Sequence, residues 1–517
     1  MIHQIDDIQP FEIVMLPSNL NLPAFMKGFK PKKKFKKEHE KKVIDRAAYL
    51  LGQIYNVQQK LGEREVNKTK GWVRLSSQML QEAIHTYREY RSYLSEGIIE
   101  IDLSYSNMKG NSKCMSYRFK DMYRSNNTWK PYVITDSRFV KSISKHRSSK
   151  DAKQKYPNLF SCIQNITYDR KVANLILSQL YPSSSQDDYL SKLTQKTILN
   201  RIKHSAIGTF KLCDFNNRLY TSVSLLKSEL RAALRFKNQP LVEVDIKSSG
   251  FWFSLSLFNK TLIDNQKQVR QILVDSCKED LDLNKTLTEY SDSSKEDYIV
   301  EDGSLGVPLF LKSLHTSGNN GNQNLEYSDI EFSGYGLLSS TMLVKKDVLP
   351  PDVTLYKRLI LEGGLYEYVQ SIWNENLKKS YSRDDVKKKL FIIINTPANW
   401  KSPERLSLEE AFPNVMSLFE TMNKGYTKTK KQGGEVECVT AKYLQRLESW
   451  FVLERVCNKI FTERPEVPIF TIHDAILTTP NEVEYLKSVI QDEALSIFDN
   501  GIILDTKKYS DQIGSNN

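Results

Sequence analysis

The sequence has no apolar run approaching the roughly 18 to 20 residues that a membrane-spanning helix needs. Its opening residues, MIHQIDDIQPFEIVM, lack the basic, apolar and small-residue succession of a secretory signal. The expectation is a soluble, cytoplasmic protein with no membrane partner. The six cysteines (Cys114, Cys162, Cys213, Cys277, Cys438 and Cys457) show neither CxxC spacing nor histidine partners. That argues against a zinc site or a disulfide framework and for reduced thiols. No internal repeat is evident. Positive charge, by contrast, is in excess: 74 Lys and Arg against 62 Asp and Glu, a net +12. Such a balance points to a polyanionic partner, nucleic acid ahead of an anionic membrane surface. A chain of 517 residues suits about three domains at the usual 100 to 200 residues each.

Along the chain, the densest basic block is Lys27–Lys42 (KGFKPKKKFKKEHEKK). It reads as an arm, residues 1–42, that gains phosphate affinity through counterion release, or else as the solvated start of a helix. Residues 43–124 read as a small domain. VIDRAAYLLGQIYNVQQKLG has apolar residues at helical spacing, and WVRLSSQMLQEAIHTYREYRSYLSEGIIEIDLSY reads as strand, helix, helix and a strand from Ile98. NMKGNS supplies a turn and KCMSYRFKDMY returns as a strand. Residues 125–210 read as a helical linker or thumb-like segment with a Ser-rich break at PSSSQ. Within 211–517, the polar stretch at about 278–352 reads as an insertion.

Two strand-like segments carry an aspartate where apolar alternation ends. LVEVDIKSSG delivers Asp245 and PIFTIHDAILTT delivers Asp474 directly after His473, the chain continuing as an alternating strand. A carboxylate at the end of a core strand is costly unless it binds something, although aspartates also cap turns. Two such residues brought together would suit two-metal phosphoryl transfer, in which paired Mg²⁺ ions activate an attacking hydroxyl and steady a leaving pyrophosphate. In SRDDVKKKLFIIINTP, Arg383, Lys387, Phe391 and Asn395 recur every four residues and share one helix face. Two cations followed by an aromatic suit a helix that grips a triphosphate and packs against a base; an amphipathic helix with a solvated basic side is the plainer reading.

In their order and spacing these segments resemble the palm and fingers of family A DNA polymerases and of the related single-subunit phage RNA polymerases, over about residues 216–498. VEVDIKSSG is similar to motif A. Arg383, Lys387 and Phe391 match the R-x3-K-x3-F part of motif B, and TIHDAI is similar to motif C. NNRLYTSVSLLKSELRAAL, YKRLILEGGLYEYV and TAKYLQRLESWFVLERV resemble three further family segments in the expected order. The resemblance implies an α+β right-hand polymerase with a small antiparallel palm sheet and helical fingers and thumb. In it Asp245 and Asp474 would hold two Mg²⁺ ions, with Mn²⁺ as an alternative. Arg383 and Lys387 would hold the triphosphate, Phe391, Asn395 and Gly250 would line the nucleotide site, and His473 would help place the primer terminus. Arg218, Arg231 and Gln445 would contact nucleic acid.

The 43–124 segment resembles the winged helix-turn-helix of plasmid and phage replication initiators. The resemblance makes the helix around Thr86–Leu94, with Arg88 and Arg91, the major-groove candidate; use of such a fold for protein contacts is the alternative. The chain departs from the family A DNA polymerase pattern at three positions. Gly250 stands where family A DNA polymerases place a Glu that excludes the ribose 2′-hydroxyl, which leans toward ribonucleotide use. Asn395 and Thr396 replace the Tyr-Gly of motif B. No carboxylate-rich proofreading region precedes the palm. The leading expectation is a templated polymerase or primase-polymerase of a mobile element, with DNA and nucleoside triphosphates as partners. The alternatives are a replication initiator or DNA-binding protein whose palm is an idle scaffold, and a template-independent nucleotidyltransferase.

Overall fold

The structure, a computed structural model, describes residues 9–29, 40–104, 114–124, 128–183, 185–278, 349–396, 400–423 and 438–509. Most of the basic block 27–42, the NMKGNS turn and nearly all of the 278–352 insertion lie outside the described residues. The chain forms two compact units. One comprises Met1–Leu212, Leu219–Leu241 and Lys508–Asn517, the other Cys213–Arg218 and Val242–Lys507. Residues 43–124 and 125–210 therefore belong to a single unit, and residues 219–241 join them.

The first unit is organised around the long helix Glu40–Lys68. Ala47, Leu50, Leu51 and Ile54, spaced three and four apart, are fully buried along one side of it. Strand Val73–Arg74 follows, then helix Ser77–Ala83, capped by the Ser76 hydroxyl on the Met79 amide. Helix Tyr87–Gly97 and strands Ile99–Asp102 and Ser116–Phe119 complete the run. Ser116–Phe119 is the central strand of an antiparallel three-stranded sheet, with Ile99 opposite Phe119 and Val73 opposite Tyr117. Tyr90, Leu94, Ile99, Tyr117 and Phe119 share the core of the long helix. That helix also carries a wholly buried carboxylate, Asp45. It accepts from the Tyr132 hydroxyl at 2.8 Å and from the Thr135 and Asp136 amides at 3.3 and 3.1 Å, donors that only partly offset a burial which raises its carboxyl above the usual range. The strand that supplies Tyr132, Trp129–Ile134, pairs antiparallel with Glu12–Pro17.

The second unit has a four-stranded sheet in the order Phe470–Ile472, Ala475–Thr478, Val242–Ile246, Leu504–Lys508. The first three strands are antiparallel neighbours. Their side chains are almost all buried, including the polar or charged Glu243, Thr471 and Thr478. Trp252, Phe253, Phe451 and Phe498 pack nearby ring on edge, with centroids 4.8 Å apart for Trp252 and Phe498. Helices Pro351–Glu362, Leu365–Leu377 and Arg383–Ile394 form a second group. Helix Val439–Ser449 runs on through a π-helical stretch, Trp450–Val456, into Cys457–Glu463. The architecture is α+β with small antiparallel sheets. Among the described residues no helix is long and apolar enough to cross a membrane.

Candidate functional site

The two aspartates singled out in the sequence come together on the four-stranded sheet. Asp245 lies in the Val242–Ile246 strand, opposite Ala475. One step further along the same ladder, the amide of Ile246 donates to the carbonyl of Asp474 at 3.2 Å. Asp474 does not sit within a continuous strand. With His473 it makes the two-residue turn of the hairpin joining Phe470–Ile472 to Ala475–Thr478, and His473 takes a positive φ of 56°. The Asp245 strand-end and the hairpin tip thus share one edge of the sheet.

Burial pushes the Asp245 carboxyl up to about 7. The negative charges of Asp474, Glu243 and Asp505 act in the same direction, and the charge of Lys387 opposes them. Two carboxylates that repel one another in a partly desolvated place are suited to a divalent cation, which relieves both penalties. Among the described residues no cluster of three or more His, Cys, Asp or Glu side chains is assembled as a metal cage. Mg²⁺ does not require one, because it binds through one or two carboxylates, with substrate phosphates and waters completing its shell. Asp245 and Asp474 therefore fit that ion.

The Arg383–Ile394 helix begins with a capping box in which Ser382 and Asp385 satisfy each other's backbone donors. Arg383, Lys387 and Phe391 are exposed on it. Arg383 donates to Glu367 at 2.6 Å, and its guanidinium lies 5.0 Å from the centre of the Tyr366 ring. Tyr366 is buried, contacts the Phe251 ring edge-on and hydrogen-bonds Ser248. Gly250 faces this helix: a β-carbon built on it would stand 3.7 Å from Cε2 of Phe391. Asn395 ends the helix, and its side-chain amide donates to the Phe391 carbonyl at 2.9 Å.

Arg218 and Gln445 also lie in this unit, where both are engaged by protein groups. Arg218 donates to Glu448 through Nε at 2.9 Å and Nη2 at 2.7 Å. Gln445 Oε1 accepts from Asn216 at 2.9 Å. Arg231 lies in the short 3₁₀ helix Ser228–Ala233 of the other unit, as do Arg88 and Arg91 of the Tyr87–Gly97 helix.

Two residues that the sequence reading passed over complete the site. Ser249, which opens the helix Ser249–Ser254, donates to Asp474 Oδ2 at 2.7 Å and lies 3.5 Å from Glu448 Oε2. Glu448 is buried on the Val439–Ser449 helix. Burial raises its carboxyl to about 8, outweighing the opposing charge of Arg218, and Asp474 adds to the rise. The available signal was the position of Glu448 three residues after Gln445, on the same helix face.

No family model matches the chain, and neither does any curated protein. Among solved structures, the POL domain of Pol1 from M. smegmatis in complex with DNA primer-template and dNTP is similar at a TM-score of 0.24 and 9% identity, over 65% of this chain. The match spans 55% of that domain's chain, little more than half of it. A likeness at that score is too slight to bear on function, which is read below from this chain's own residues.

Proposed function

We propose that the chain is a palm-type nucleotidyltransferase, a template-directed polymerase that extends a nucleic-acid 3′ end with nucleoside triphosphates. The observation that carries this reading is the meeting of the Asp245 strand end and the Asp474 hairpin turn on one edge of the sheet, with the charge of Lys387 felt at Asp245. The 3′-oxygen forms a bond to the α-phosphorus, the bond to the bridging oxygen breaks, pyrophosphate leaves, and the hydroxyl proton passes to solvent. Two Mg²⁺ ions held by Asp245 and Asp474 would activate the attacking oxygen and neutralise charge on the leaving group. Arg383 and Lys387 grip the triphosphate, which in this reading takes the place of Glu367 on Arg383. Phe391, Asn395 and Gly250 border the incoming nucleoside. His473, adjoining Asp474 in the turn, faces the primer end. The lack of a side chain at Gly250 favours acceptance of ribonucleotides.

We further read residues 43–124 as a winged-helix DNA-binding module, with DNA as the partner. Its support is the succession helix, strand, helix, helix, strand, strand, with the last strand central in the sheet. Arg88 is exposed on the helix that would enter the groove.

The test is primer extension with Mg²⁺ on a primed template, with dNTPs or NTPs and with the template omitted. Template-dependent extension that disappears in Asp245→Ala and Asp474→Ala is expected. Extension without template would make the chain a terminal nucleotidyltransferase. DNA binding with no extension under any condition would leave the palm an idle scaffold.

A further inference from the structure

Asp474 lies in a two-residue turn, outside the paired strands of the hairpin. The structure holds it from outside the hairpin. The buried Ser249 hydroxyl donates to Asp474 Oδ2 at 2.7 Å, and 3.5 Å beyond it stands Oε2 of Glu448. The other oxygen of Glu448 accepts both Nε and Nη2 of Arg218. Arg218 in turn ends the Cys213–Arg218 loop, which is clamped along the Val439–Ser449 helix. Asn216 donates to Gln445 at 2.9 Å, the Ser449 hydroxyl donates to the Asn216 carbonyl at 3.1 Å, and Arg446 Nε donates to the Phe215 carbonyl at 2.8 Å. From the loop to the carboxylate, every link lies in one unit.

We propose that Arg218, Glu448 and Ser249 form a positioning chain that sets the Asp474 carboxylate for a divalent cation. This rests on the metal-site reading of Asp245 and Asp474. A buried ion pair is a poor way to gain stability, since apolar residues of equal volume usually do as well. An ion pair that serves only to staple a loop has no need of a second carboxylate oxygen directed at the hydroxyl that holds Asp474. Outer partners of this kind fix the orientation of ligating groups, and their loss typically costs about 10- to 100-fold in metal affinity.

Mn²⁺ binding to the full-length protein, followed by electron paramagnetic resonance, tests the chain without relying on turnover. Ser249→Ala changes no charge and removes only the hydroxyl, so it should weaken Mn²⁺ binding about tenfold at an unchanged fold by circular dichroism. Glu448→Gln should weaken it to a similar degree. The double variant should be little worse than either single one, because both break the same chain. Ser249→Thr, which keeps the hydroxyl, should restore binding. Wild-type affinity in Ser249→Ala overturns the proposal, including the case in which Glu448→Gln alone is weakened. Asp474→Asn separates the two levels of inference. If it binds Mn²⁺ like wild type, or if the wild type binds none, the metal-site reading fails and the positioning chain with it. If Asp474→Asn loses the ion and Ser249→Ala keeps it, only the chain fails.

Discussion

Gly250 lies under the exposed ring of Phe391, with 3.7 Å between a β-carbon built at position 250 and Cε2 of that ring. A β-carbon is accommodated at ordinary contact distance, so the site tolerates a side chain sterically, but a longer one must extend past Phe391 into the space proposed for the sugar. Gly250→Glu should therefore leave the fold intact and shift the ratio of kcat/KM for dNTPs over NTPs upward by about tenfold or more, a differential of at least 1.4 kcal/mol. Parallel primer extension with the two nucleotide sets measures it. An unchanged ratio would sink the steric argument.

The raised carboxyls of Asp245 and Glu448 tie stability to pH with a definite sign. Each carboxyl in the folded protein binds its proton more tightly than in the unfolded chain, at about 7 against 3.8 for Asp245 and about 8 against 4.5 for Glu448. Their contribution to stability is fully present below the unfolded values and is lost as pH rises through the folded ones. Metal-free Asp245→Asn should match wild type near pH 4 and exceed it in stability by about 1 to 3 kcal/mol above pH 8. Denaturant unfolding of both proteins across that range would show it. Mg²⁺ should narrow the gap by stabilising the wild type alone. A gap that is constant with pH would contradict the burial and repulsion assigned to Asp245.

How much of this site could be read in the sequence depends on how local its causes are. Asp245, Asp474 and the Arg383/Lys387 spacing were legible because each announces itself within one element: a charge ending an apolar strand, or a period of four. The hairpin was not. Neither His473 nor Asp474 is a glycine, and the positive φ of His473 is imposed by the pairing of Ile472 with Ala475. Ser249 and Glu448 were missed for a different reason. Their roles run through contacts across 199 and 225 residues of chain, and the one local cue, Glu448 three residues after Gln445, does not say what either residue touches. The pairing of Arg218 with Glu448 likewise spans 230 residues of chain. In the first unit, helical periodicity located the long helix and the helix pair after it, while the centrality of the Ser116–Phe119 strand depended on pairings that the sequence does not state.

The Arg383–Glu367 pair is solvent-exposed on both sides, with side chains 43% and 52% accessible. Pairs of this kind contribute about 0 to 1 kcal/mol, so stability gives no reason for a cation here. Arg383→Ala should lower the thermal midpoint negligibly and raise KM for nucleoside triphosphates about 10- to 100-fold, the worth of a charge-assisted phosphate contact. Glu367→Gln removes the competing carboxylate and should lower KM by a few-fold. Steady-state kinetics on the two variants decides the matter. If both leave KM unchanged, Arg383 serves only the surface.

Arg88 and Arg91 lie three positions apart on the Tyr87–Gly97 helix, yet their surroundings differ. Arg88 is exposed, whereas Arg91 is half-buried, donates to the sulfur of Met115 at 3.0 Å and lies over the Tyr87 ring. If the helix enters a DNA groove, only Arg88 has its guanidinium free of such packing. Arg88→Ala should weaken duplex binding and, if its contact is to a phosphate, reduce the slope of log affinity against log salt by about 1. Arg91→Ala should cost about 1 kcal/mol of stability through lost packing of its stem and ring contact, with a smaller effect on DNA. Fluorescence anisotropy over a salt series, alongside denaturant unfolding, separates the two. A loss of DNA affinity confined to Arg91→Ala would place the nucleic acid on the Met115 side of the helix, against the geometry proposed here.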